Sequence, residues 1–236
     1  MIDVIIPARS NTESLHSLTQ ETILSLHISE PKANFNVIVV ESGGVDQNYQ
    51  GAKTILYPEG ERFNYNKALN IGMQFTENEY IIFCNNDLIF QNHFFLELKH
   101  AFNYGFQSVC PICPRHHKLI PKEYEFISGY NVGGELIGWC IAVKRSIFDK
   151  IGKFDESVDF WYSDHVYAEQ LKEHQIPHAL VTASKVLHLG SQTLNSLTPE
   201  EYLEVTILQK KKYQDYLKLN NKEPQRLHLG TFTIGK

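Results

Sequence analysis

The chain predicts an α/β fold built on a Rossmann-like, mostly parallel sheet flanked by helices. Two observations carry this. Short apolar, β-branched runs alternate with amphipathic helical stretches through the first 105 or so of its 236 residues, which implies parallel strands joined by right-handed crossovers. The run Tyr80-Ile81-Ile82-Phe83-Cys84 also ends abruptly in Asn85-Asn86-Asp87. A buried strand that closes in polar side chains opens onto a ligand site in sheets of this kind.

The elements follow in order. Val4-Ile5-Ile6 reads as the first strand, and a helix runs from the Ser10–Glu13 region to about Leu26, with Leu15, Leu18, Thr22 and Leu26 on one face. Phe35–Val40 and Thr54–Tyr57 are the next strands. Residues 65–75 form a helix with Ala68, Leu69, Ile71 and Phe75 inward, followed by the 80–84 strand and a helix over about 93–103. The second half is more irregular. Residues 114–135 are rich in loop formers, Leu136–Val143 is a strand interrupted at Gly138-Trp139, and a helix from Ser146 to Ile151 stops at Gly152. Ser163 starts a helix with Val166, Leu171 and Ile176 inward, and Ala179–Leu187 is a late strand ending at His188. Thr198-Pro199-Glu200-Glu201 combines a capping threonine, a first-turn proline and a glutamate three residues on, so a final helix starts there.

Composition excludes several classes. A net charge of −5 and a pI near 6.1 argue against a chain that grips nucleic acid. No stretch reaches the roughly 20 apolar residues of a membrane span, and the N-terminus lacks the pattern of a signal peptide. The expected location is cytoplasmic. The run Lys210-Lys211-Lys212 leaves peripheral contact with anionic lipid at the inner membrane open against a solvated helix face. Cysteines 84, 110, 113 and 140 include one CxxC, but no second pair completes a zinc site, so reduced structural thiols are expected. Neither GxGxxG nor GxxxxGK[ST] occurs, so a bound diphosphate would need another counter-charge, for which a cation on Asp87 is the candidate.

The polar stations are Pro7-Ala8-Arg9, Glu41-Ser42-Gly43-Gly44, Asn66 to Asn70, Asn85-Asn86-Asp87, Gly138-Trp139, Trp161-Tyr162-Ser163-Asp164 and His188-Leu189-Gly190-Ser191. In order and spacing, residues 2–191 resemble the inverting family 2 glycosyltransferases of the GT-A fold. Asp3–Pro7 is similar to that family's opening strand, Val39–Gly43 to its Val-Asp-Asp-Gly-Ser stretch, and Ala68–Gly72 to its Ala-x-Asn-x-Gly helix. Asn85-Asn86-Asp87 falls at its DxD position, Gly152–Glu156 resembles Gly-Gly-Phe-Asp-Glu, and Ser163-Asp164 stands where Glu-Asp is usual.

The resemblance implies one GT-A domain over 1–236, with a nucleotide-sugar-binding half (1–105), an acceptor-side half (106–195) and a C-terminal helical extension (196–236). It implies transfer of a sugar from a nucleotide-diphosphate donor to a glycan or lipid-linked saccharide, often in bacterial surface polysaccharide synthesis, aided by Mn²⁺ or Mg²⁺. Asp164 is then the general base, and Asp87 and His188 the metal ligands. Pro7, Arg9, Glu41, Lys67, Asn70, Asn85, Asn86, Asp87, Gly138, Trp139 and Trp161 become the donor-site set. Each has a plainer reading: Asp87 and Asp164 as helix caps, His188 as a satisfied strand-end histidine, Arg9 and Lys67 as surface charges, the tryptophans as core. Asn85 and Ser163 each replace a carboxylate of the family pattern, which motivates the alternative of a non-catalytic nucleotide-sugar or glycan-binding module. A sugar-phosphate nucleotidyltransferase is a weaker third reading, since Pro7–Thr12 lacks the loop that chemistry needs.

Overall fold

A computed structural model describes residues 1–43, 48–117, 124–190 and 198–224. Gly44, Pro121 and Ser191 lie outside the described residues, as does the side chain of Ile207.

The chain runs β1 (Ile2–Ala8), α1 (Glu13–Ser29), β2 (Phe35–Glu41), β3 (Lys53–Leu56), α2 (Tyr65–Met73), β4 (Tyr80–Cys84), β5 (Leu88–Phe90), α3 (Phe94–Tyr104), β6 (Ser108–Ile112) and β7 (Phe126–Ser128). Next come β8 (Cys140–Lys144), a 3₁₀ turn at Arg145–Ile147, α4 (Phe148–Ile151), α5 (Ser163–Glu173), β9 (His178–His188) and α6 (Pro199–Leu219). The sheet order is β3-β2-β1-β4-β8-β6-β9-β5, with β7 also on β9. Strands β1 to β4, β6 and β9 point one way; β5, β7 and β8 oppose them. Of the three opposing strands β5 follows β4 directly and β7 and β8 lie in the second half, and none is preceded by a long helical crossover among the described residues.

Alternation along the strands divides the core into two layers. Ile2, Val4, Ile6 and Ala8 of β1 meet Ile23 and Leu26 of α1 and Phe94, Leu98 and Phe102 of α3. Ile5, Ile38 and Val40 turn the other way, onto Ala68 and Leu69 of α2 and Tyr167, Ala168 and Leu171 of α5. Gly72 lets α2 approach β1, because a Cβ there would stand 2.5 Å from Ile5 Cγ2. All four cysteines are free and buried, as expected, and burial pushes the Cys110 thiol up to about 12.

Several local expectations shift. On α1 the buried face runs through Leu15, Thr19, Thr22, Ile23 and Leu26 rather than Leu18. The threonines are buried because their hydroxyls have work there: Thr22 Oγ1 donates to the Asn86 carbonyl at 2.8 Å, and Thr19 Oγ1 accepts from Asn86 Nδ2 at 2.9 Å. Ile71 is only half-buried and Phe75 lies exposed beyond the end of α2. The interrupted 136–143 strand begins only at Cys140, and two three-residue strands, β5 and β7, appear where none was expected.

Candidate functional site

The order β3-β2-β1-β4 reverses direction at β1, so the carboxyl ends of β1 and β4 flank the crevice where such sheets take ligands. Pairing supports the opening. The β1–β2 register continues to Ala8↔Glu41, whereas β1–β4 pairing stops at Ile5↔Phe83. Pro7 sits in that unpaired stretch, where its missing N–H costs β4 no hydrogen bond.

Three chain segments converge there. Cys84 pairs with Cys140, and the Asn85 amide donates to the Trp139 carbonyl at 2.9 Å, so Asn85–Asp87 lies beside Gly138-Trp139. Because β5 follows Asp87 directly and pairs antiparallel with the end of β9, Leu88↔His188, the late histidine is drawn to the carboxylate. Asp87 therefore caps no helix; a strand follows it.

Asp87 is 4% exposed. Its Oδ1 lies 3.3 Å from His188 Nε2, yet both atoms are buried and neither has a hydrogen-bond partner among the described residues. The contact is one of distance without alignment. Two buried polar atoms 3.3 Å apart with no such partner cost free energy unless something answers them, and a carboxylate oxygen with an imidazole nitrogen suits a divalent cation. Among the described residues no group of three or more such side chains converges, so such a cation would complete its shell from ligand oxygens and water. His188 is held in place by Trp139, which stacks on it with ring centroids 5.2 Å apart.

Asp164 lies in the first turn of α5, where the helix dipole favours a carboxylate. Its Oδ1 accepts from the backbone N–H of His165 at 2.9 Å and lies 3.0 Å from His165 Nδ1. A Cβ on Gly138 would meet Asp164 Cβ at 2.8 Å and Oδ2 at 2.9 Å. Gly138 is thus the residue that lets Asp164 lie against the segment bearing Trp139. Tyr65, at the start of α2, spans the two sides: its hydroxyl donates to Asn85 Oδ1 at 3.0 Å and its backbone N–H to the Asp159 carbonyl. Burial pushes the Tyr65 phenol well up, and the charges of Asp164 and Asp87 add to that. Asp164 packs on Gly138 and the Asn85 backbone N–H bonds the adjacent Trp139 carbonyl, so the segments carrying the two carboxylates meet on the same side of the molecule. Trp161 is 44% exposed and lies edge-on to Phe160.

Other expected site residues are engaged elsewhere. Glu41 is turned inward, 1% exposed: Oε1 accepts from the N–H groups of Ser10 and Gly43 at 2.8 and 2.7 Å, and Oε2 from the Tyr49 hydroxyl at 2.6 Å. It braces the loops after β1 and β2 rather than facing a nucleobase, because a glutamate reaches one methylene further than the family's aspartate. Asn86 is likewise internal, tied to α1 through Thr19 and Thr22. Asn70 bonds the Phe154 backbone at both its amide ends (2.9 and 3.1 Å) and Glu156 Oε1 at 2.7 Å. With Asn64 on Glu156 and Val158 and Asn66 on Asp155, it straps the segment leading to Trp161 and Asp164 onto α2. Lys67 pairs with Glu61 and lines, with Asn70, Lys153 and Glu156, a separate cleft of about 390 Å³ that contains neither Asp87 nor Asp164. Arg9 pairs with Glu201 of α6 at 2.7 Å.

Sequence reading missed Tyr65 and His165. Neither belongs to a recognisable spacing; only the placement of α2 and α5 brings them to Asn85 and Asp164.

Fold and crevice together define a glycosyltransferase architecture of the GT-A class. Residues 3–152 match the model of the family described as Glycosyl transferase family 2, and the chain belongs to that family. The solved mannosyltransferase PcManGT from Pyrobaculum calidifontis, in complex with GDP-Man and Mn²⁺, is similar in fold with a TM-score of 0.62 at 15% identity. The match covers 95% of this chain but 65% of that one, so this chain spans about two-thirds of its solved neighbour. No curated protein sequence matches it.

Proposed function

We propose that this protein transfers a sugar, with inversion, from a nucleotide-diphosphate donor to a hydroxyl of a glycan or lipid-linked saccharide. The observation that carries the reading is the pairing of roles along one crevice: buried, unanswered Asp87 Oδ1 and His188 Nε2 on one side, and Asp164 against Gly138 on the other. A sugar hydroxyl is too weakly acidic to ionise alone, so Asp164 accepts its proton as the oxygen attacks the anomeric carbon. The new carbon–oxygen bond forms opposite the breaking bond to the diphosphate, and the anomeric centre inverts. Asp87 and His188 are the residues that would hold Mn²⁺ or Mg²⁺, which when bound neutralises charge on the departing diphosphate. Asn85 and the Gly138-Trp139 backbone line the donor side, and Trp161 offers an exposed face to the acceptor.

The division into a donor half (1–105), an acceptor-side half (106–195) and a C-terminal helix fits this arrangement, with Asp164 and Trp161 in the second part. Family membership supports a place in surface polysaccharide assembly. Peripheral contact with a membrane bearing a lipid-linked acceptor is compatible with exposed Lys210 and Lys211.

The test is release of nucleoside diphosphate from a panel of nucleotide sugars, with a saccharide acceptor, with and without Mn²⁺. Turnover that requires the cation and falls at least a hundredfold in Asp87→Ala is expected. Nucleotide binding indifferent to chelator, with no turnover on any donor, would instead favour the binding-module reading.

A further inference from the structure

The position where the family pattern carries its first DxD carboxylate is an amide here, and the structure supplies that amide with a dedicated partner. An asparagine side chain presents an acceptor at one end and donors at the other, and its hydrogen bonds decide which end faces where. The Tyr65 hydroxyl donates to Asn85 Oδ1 at 3.0 Å. With the amide reversed, that buried hydroxyl proton would have no acceptor among the described residues, a penalty larger than the worth of a typical hydrogen bond. Asn85 Nδ2 makes no hydrogen bond to a described residue, and the half-buried side chain stands at the end of β4 beside Asp87.

Tyr65 is itself fixed. Its backbone N–H is held by Asp159, its ring packs edge-on against Phe160 with centroids 6.1 Å apart, and the preceding Asn64 caps α2 through Lys67 N while bonding Glu156 and Val158. The Asn85 backbone is pinned separately by Trp139. Neither partner can drift to relieve a reversed amide.

We infer that Tyr65 is a positioning residue that locks the Asn85 amide so that its N–H donors, not its oxygen, face the donor crevice. This deepens, and rests on, the transferase reading above. The consequence is a division of labour. Asn85 contributes no oxygen to a cation, which falls to Asp87 and His188, and it instead reads an oxygen acceptor on the nucleotide: a ribose hydroxyl or a diphosphate oxygen. An aspartate at 85 could only accept a hydrogen bond there, so the substitution changes what is recognised rather than merely weakening a family feature.

The experiment is calorimetric titration of GDP and UDP into the full chain with Mn²⁺, for the wild type, Tyr65→Phe, Asn85→Ala, the double variant and Asn85→Asp. Tyr65→Phe keeps the buried ring and removes only the hydroxyl. The expected result is a rise in Kd of about fivefold to tenfold for the bound nucleotide, the size of one hydrogen bond, in Tyr65→Phe and Asn85→Ala alike. The double variant should be no worse than Asn85→Ala, Asn85→Asp should not recover the loss, and the Mn²⁺ half-saturation should be unchanged in Tyr65→Phe. Repeating the titration with the 2′,3′-dideoxy nucleotide separates the two acceptors: insensitivity to Tyr65→Phe assigns the contact to the ribose, equal loss assigns it to the diphosphate. Losses that multiply in the double variant, a shift in Mn²⁺ half-saturation with Tyr65→Phe, or tighter binding by Asn85→Asp would overturn the inference while leaving the transferase reading standing. Failure of the wild type to bind either nucleotide would overturn both.

Discussion

Asp164 depends on a neighbour with no side chain. Since a Cβ at 138 would stand 2.8 Å from Asp164 Cβ, Gly138→Ala must displace the carboxylate together with the start of α5. Turnover is expected to fall about tenfold or more, because small misplacements of a reacting group are costly, and the melting temperature should fall as well. Equal activity in the variant would show that Asp164 does not act from this position. A second residue-level consequence lies in the buried chain Tyr167–Ser108–His178, where Ser108 Oγ stands 2.9 Å from the tyrosine hydroxyl and 2.8 Å from His178 Nδ1. The Glu135 carbonyl, 3.1 Å from Nε2, can only accept, so Nε2 carries the proton. Burial drives His178 down from its ordinary 6.5 to about 4. The unfolded chain therefore binds this proton first on acidification. The contribution is fully present above pH 6.5 and is lost as pH falls towards 4, by up to about 3 kcal/mol. Urea unfolding followed from pH 7 to 4 should show this slope, flattened in His178→Gln; parallel curves would refute it.

At the scale of elements, the approach of α2 to β1 sets the crevice, since α2 carries Tyr65 and the asparagines that strap down residues 154–158. Gly72→Ala tests that approach. The added methyl would meet Ile5 Cγ2 at 2.5 Å, and overpacking of this kind costs about 1–3 kcal/mol, outweighing the roughly 1 kcal/mol of helix propensity gained. A lower melting temperature is expected, and a stabilised variant would contradict the packing. Element by element, long apolar runs such as 80–84 and strong starts such as Thr198–Glu201 announce themselves; the capping box at Thr198 and Glu201 forms as expected. Strands β5 and β7 do not, because three residues carry no measurable period. That matters functionally, for β5 is what brings His188 to Asp87. The buried face of α1 was obscured for another reason: Thr19 and Thr22 are inward through hydroxyl bonding, which a count of apolar residues cannot register. Spacing likewise placed Lys67 and Asn70 on the right helix but could not say that both turn away from the crevice.

Across the whole molecule, α6 is bound to the site from outside. Tyr213 stacks on Tyr162 with centroids 4.7 Å apart, Arg9 meets Glu201, and buried Asp159 gathers Arg62 at 2.9 Å, Lys212 at 2.6 Å and Gln209 at 3.2 Å. One lysine of the 210–212 run is thus engaged internally, leaving Lys210 and Lys211 outward. No helix among the described residues is long and apolar enough to cross a membrane. Distant parts of the chain meet at one crevice, and the account stands on the two carboxylates there having different duties. The most direct measurement is made on Asp164→Asn: nucleoside diphosphate affinity with Mn²⁺ and sugar-transfer rate, determined on the same sample. Loss of a general base removes about 10²–10⁴ of rate, so turnover should collapse by that factor while affinity stays within about twofold. A variant that transfers sugar at the wild-type rate would contradict the account.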